Sequence, residues 1–148
     1  MSLELSSTKS QGLYLGHLWG LISRQSIVEI AEAIITASQN IPSSELCELA
    51  VCQMDSDVKE RLRPFSKQAD KWQSIQELIN YLDVPNLVTS NRYKLYYGIS
   101  NYIDWDDPKQ WVKIKVLCYE LSDARAGVYG DEKAISKEIY ETLISAIA

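Results

Sequence analysis

The sequence is poor in reactive groups. It has one histidine, His17, three cysteines, and no set of acidic, basic or nucleophilic side chains at a spacing that common chemistry requires. Each absence removes a class of activity. His17 is the one side chain that titrates near neutrality unaided, so it is the first candidate for acid–base work. A metal site built on it would have to recruit distant carboxylates, and its mostly apolar surroundings favour packing. Cys47, Cys52 and Cys118 are odd in number, and the C-x4-C pair lies on a helical pattern and its end, where zinc ribbons and redox motifs do not place their ligands. They read as reduced, core-type residues, which favours a cytosolic location. Ser7-Thr8-Lys9-Ser10 lacks the glycines and preceding strand of a phosphate loop, and neither a G-x-S-x-G elbow nor an S-x-x-K nucleophile stands near a base. No catalytic residue, metal ligand or cofactor is therefore assigned.

Long apolar runs are missing too. Leu13–Ile22 is broken by Gly16, His17 and Gly20 and is too short to span a bilayer, so no membrane role is expected. The first ten residues lack a secretory pattern and are expected to be disordered or an expression-derived leader. Positive charge is not in excess: 15 Lys and Arg face 20 Asp and Glu, for a net charge of −5. Such a surface repels phosphate backbones, so nucleic acid is not an expected partner. Strict apolar–polar alternation is absent, which leaves strands unrequired, although Leu87-Val88-Thr89 could be extended.

Apolar spacing is what remains. Hydrophobic residues make up 46% and charged residues 24% of 148, enough apolar surface to offset chain entropy in one helical domain over 1–148. Leu15, Leu18, Trp19 and Ile22 form one stripe. Ser26 and Glu29 make a capping box that predicts a helix start, followed by Ile27, Ile30, Ala31, Ile34 and Ile35 on one face. Ser43 or Ser44 can cap a short helix with Leu46 and Leu49. A further helix is expected from about Ser56, kinked or broken at Pro64 and running on to Leu82, with a second capping box offering a restart at Ser74. Asp83–Asn86 reads as a loop. Helices then follow over about Ser90–Tyr102, from the Asp107 cap through Trp111, Ile114, Leu117, Cys118 and Leu121 to a left-handed stop at Gly127, and from Asp131 through Ile135, Ile139, Leu143, Ile144 and Ile147. The expected class is all-α: an irregular bundle of about seven or eight helices packed as antiparallel pairs.

Aromatic residues exceed the background between Tyr93 and Trp111, where Tyr93, Tyr96, Tyr97, Tyr102 and Trp105 also fall. Tyrosine and tryptophan suit cores and also recognition surfaces, because each joins a large apolar area to a polar tip. Tyr93, Tyr96 and Tyr97 cover a flank wider than one buried stripe needs, and Asp104, Asp106 and Asp107 follow. The aspartates lack the central glycine and terminal glutamate of a calcium loop, and a helix-capping loop accounts for them. Most of the rings are expected in the core. Tyr96, Tyr97, Trp105 and Asp106 are the candidate contact residues of an acidic-rimmed aromatic patch that would receive a basic partner protein.

The stretch Leu18-Trp19-Gly20-Leu21-Ile22 through Ile30-Ala31-Glu32-Ala33-Ile34, with Pro42 and Glu45-Leu46-Cys47-Glu48-Leu49-Ala50, resembles the opening of small all-helical bacterial immunity-type proteins of polymorphic toxin systems. The likeness covers the first third and consists of hydrophobic spacing, so no site residue is carried over. It implies a helical protein that covers a toxin's active surface. The expected function is non-enzymatic protein binding; the alternatives are a small enzyme or ligand-binding protein with a pocket near His17, and a homo-oligomeric structural protein.

Overall fold

Of the eight helices among the described residues, five start on a single capping side chain. A computed structural model describes residues 5–148. Among the described residues it contains eight α-helices, two 3-10 turns and no strand. Contacts group the chain into two compact units that meet in sequence at Leu87 and Val88, next to the stretch marked as a loop by Pro85.

The first unit holds α1 (Ser7–Leu18), α2 (Arg24–Ala37), α3 (Ser44–Ala50), α4 (Val58–Leu62) and α5 (Lys71–Tyr81). The α1 helix begins inside the expected disordered leader, of which residues 1–4 lie outside the described residues. Ser6 caps it by accepting the Lys9 N–H at 3.2 Å. Ser10 is fully buried, its Oγ donating to the Leu62 carbonyl at 3.1 Å and sharing a hydrogen bond with Ser66 Oγ at 2.8 Å. A buried hydroxyl so satisfied anchors the segment. The helix stops earlier than its apolar pattern suggested. Gly20 takes φ +76°, its N–H bonds the His17 carbonyl, and the Leu21 N–H bonds the Gly16 carbonyl, which together make a Schellman stop. Leu18, expected on the inner stripe, is 59% exposed. The face buried instead carries Gly12 and Gly16, where α1 packs against α5 at close range.

The predicted capping box is displaced by one turn. Ser23, with extended backbone, accepts the Ser26 N–H at 3.1 Å and starts α2, so Ser26 lies inside the helix. Ile27 and Ala31 face inward as expected and Val28 joins them, while Ile30, Ile34 and Ile35 are half-buried; α2 packs on α3, which Ser43 caps through the Leu46 N–H. The chain does not stay helical through Pro64. The turn after α4 continues to Ala69, Gln68 adopts φ +59°, and Asp70 starts α5 by accepting the N–H groups of Trp72 and Gln73 at 3.0 and 2.9 Å. Ser74 is therefore no restart; it is buried within α5 and its Oγ bonds the Asp70 carbonyl.

The second unit is α6 (Thr89–Tyr102), α7 (Lys109–Arg125) and α8 (Glu132–Ile147), with α6 packed on α7 and α7 on α8. Its inner stripes match the sequence pattern on α6 and α7, while on α8 Ile135 and Ile147 are half-buried and Ile144, expected on the inner face, is exposed. Leu95, Ile99 and Ile103, then Trp111, Ile114, Leu117, Cys118 and Leu121, then Ile139 and Leu143 are all buried. Each large apolar side chain removed from water contributes about 1.5–3 kcal/mol. Gly127 at φ +74° ends α7 in a second Schellman motif, with the Val128 N–H on the Asp123 carbonyl. Asp131 caps α8 through the N–H groups of Lys133 and Ala134. Asp107 is not the cap of α7: Pro108 holds that position, and the Asp107 carboxylate accepts the Asp104 N–H at 2.7 Å.

Candidate binding surface

The connection from α6 to α7 is short and anchored at both ends. Ile103 and Trp111 are 1% and 2% exposed, which ties residues 104–108 between two buried side chains. Within the turn, the Asp107 carboxylate takes the Asp104 N–H, and the Asp107 N–H returns to the Asp104 carbonyl at 3.0 Å. This closed turn holds Trp105 outward. Its ring lies 6.0 Å from that of Tyr119 on α7, with 10° between the planes. The two rings are 58% and 60% exposed, so the stack is presented to solvent.

Lys115, one turn before Tyr119, also reaches the Trp105 ring. Its Nζ lies 5.3 Å from the Trp105 ring centre and donates to the Ser100 carbonyl at 2.9 Å. A cation over an aromatic face is attracted by the ring quadrupole, at about 0.5–1 kcal/mol where solvent reaches it. Val116, three residues before Tyr119 and so on the same helix face, is also exposed. Trp105, Tyr119 and Val116 form an apolar strip outside the core.

The expected contact residues separate here. Trp105 and Asp106 are exposed and adjacent. Tyr97 is half-buried, its hydroxyl accepting from Ser122 Oγ at 3.1 Å and its ring facing the Arg125 guanidinium at 5.8 Å. Tyr96 must be withdrawn as a surface residue. It is 1% exposed because it stands on the Leu95–Ile99 side of α6, and it hydrogen-bonds Ser136; burial raises its pKa. Tyr93 is buried as well. Its hydroxyl donates to Glu132 Oε1 at 2.7 Å beneath Arg125, and desolvation, with the Glu132 hydrogen bond and charge adding to it, pushes its pKa up to about 12.

Tyr119 is the residue the sequence reading missed. Its signal was its position: with Trp111, Ile114, Leu117, Cys118 and Leu121 defining the inward face of α7, Val116 and Tyr119 fall off that stripe, and apolar residues there must face out or meet another element.

The sites of the alternative chemistry are modest. His17 Nδ1 lies 3.0 Å from the Ile22 carbonyl, which can only accept, so Nδ1 is the donor of this hydrogen bond. An open groove of about 520 Å³ brings His17 beside Ser23, Arg24 and Asp55. Arg24 is already engaged there, donating to the Cys52 carbonyl at 2.6 Å with Asp55 at 3.8 Å. The three cysteines are unbridged, and burial pushes the Cys118 thiol up to about 12, which disfavours the reactive thiolate. Among the described residues no group of three or more His, Cys, Asp or Glu side chains could hold a metal ion, and no helix is long and apolar enough to cross a membrane.

Comparison of the chain with protein-family models, curated proteins and solved structures gives no match.

Proposed function

We propose that this protein acts by binding another protein through the Trp105–Tyr119 face of α7. The observation that carries the reading is the exposed stack itself. Two large rings held in fixed geometry lose little conformational freedom on binding, which is why such residues concentrate binding energy at interfaces. A core role would have buried them, as it buries Tyr93 and Tyr96. The narrower form, an immunity-type protein covering a toxin's active surface, draws on the hydrophobic spacing of the first third of the chain.

Affinity capture from native lysate tests the reading, with Trp105→Ala and Tyr119→Ala proteins whose circular dichroism and melting match the parent. The expected result is a captured protein that both variants lose. Equal capture by all three forms contradicts the reading. Light scattering on the same samples distinguishes the homo-oligomeric form, in which the parent self-associates and the variants are monomers.

A second reading, a small-ligand site beside His17, is supported by the groove that gathers His17, Ser23, Arg24 and Asp55. A ligand whose binding is abolished by His17→Gln and untouched by Trp105→Ala would favour it.

A further inference from the structure

We infer that the partner segment seated on this strip is basic, carrying arginine or lysine beside apolar residues; the inference rests on the binding role proposed for Trp105 and Tyr119. The argument is charge complementarity. Asp106 follows Trp105 directly and is exposed. At the other end of the strip, Asp123 stands one turn beyond Tyr119, and Glu120 one turn beyond Val116, both exposed. No ion pair engages Asp106, Glu120 or Asp123 among the described residues. Carboxylates thus border the exposed rings at both ends. Of the cations on this part of α7, Lys115 is folded onto Trp105 and the Ser100 carbonyl, Lys113, three residues before Val116, pairs with Glu138 at 3.8 Å, and Lys109 lies at the first turn, far along the helix from Asp123. Lys115 also shows that the Trp105 ring accepts a cation at its face.

An acidic or neutral segment would bring unpaired charges together or leave the carboxylates desolvated without partners, and either penalty acts against it. A basic segment lays apolar side chains on Trp105, Tyr119 and Val116 while its cations meet Asp106 and Asp123. The net charge of −5 steers it inward over a range of about 8 Å at physiological salt.

The test uses the full chain and two short synthetic peptides of matched apolar content, one bearing arginines and the other glutamates. Nuclear magnetic resonance follows the Trp105 indole N–H and the amides around Tyr119. The arginine peptide should shift these signals and saturate, the glutamate peptide should not, and Asp106→Asn with Asp123→Asn should weaken binding about tenfold at low salt. Trp105→Ala should weaken it as well. Arginine-peptide binding that ignores Trp105→Ala, or equal response to both peptides, overturns the inference. A lysate protein lost with Trp105→Ala yet held equally by the Asp106→Asn, Asp123→Asn form would overturn the basic partner and leave the binding role standing; capture indifferent to all of these changes removes both.

Discussion

A β-carbon built on Gly12 would stand 2.8 Å from the carbonyl oxygen of Ser74, so α1 and α5 meet backbone to backbone. Alanine there gains about 1 kcal/mol of helix propensity but must push α5 away, at a cost of about 1–3 kcal/mol that a fixed backbone atom cannot relieve. Gly12→Ala should therefore lower stability in urea denaturation. Gly127→Ala makes a contrast, because nothing lies within 4 Å and its φ of +74° adds only local strain of about 1 kcal/mol. A Gly12→Ala protein as stable as the parent would show that the helices separate freely.

The Tyr93 hydroxyl gives a prediction with a defined sign in pH. Its pKa rises on folding from about 10 to about 12, so the folded state holds the proton more tightly. The resulting stabilisation is complete below about pH 10 and is lost as pH climbs toward 12. Tyr93→Phe should cost about 1 kcal/mol at neutral pH, and that deficit should shrink above about pH 10. Parallel denaturation curves at neutral and alkaline pH check this. A deficit constant across the range would mean that the Tyr93 pKa is not raised on folding.

Helix α2 offers a test of where its cap lies. Ser23→Ala should cost about 1 kcal/mol, because the Ser26 N–H loses its acceptor, while Glu29→Ala should change stability by only a few tenths. Equal losses at the two positions would restore the capping box one turn further on.

The core of the second unit was largely legible in the sequence because its periodicity agrees with its end signals at Gly127 and Asp131, the Asp107 cap being the exception. On α7 the stripe from Trp111 to Leu121 and the stop at Gly127 both follow from spacing and glycine, and on α8 Asp131 stands where an N-cap should. The first unit was harder where several signals competed. Ser23 and Ser26 are both good caps, and the choice depended on which serine adopted extended backbone. Leu18 fits an inward stripe by spacing, yet the glycines at 12 and 16 let α5 approach on the other face and leave Leu18 outside. Local patterns cannot register a close approach made by a residue sixty positions away.

The candidate surface was half legible for a similar reason. Trp105 and Asp106 sit in a turn that spacing already placed outside the helices. Tyr96 and Tyr97 differ by one position on α6, and that single step of rotation takes one ring into the core and leaves the other at its edge. Tyr119 lies off the inward stripe of α7, which spacing alone marks, but its stack with Trp105 is a tertiary contact that helical periodicity does not encode.

The most direct measurement is the affinity of a captured partner for the Trp105→Ala, Tyr119→Ala double variant, read beside that variant's unfolding free energy. The account predicts that affinity falls by about a hundredfold or more, as truncation of two hot-spot rings should produce, while stability falls by about 1 kcal/mol or less. Unchanged affinity, or a collapse of stability that explains the loss, would contradict it.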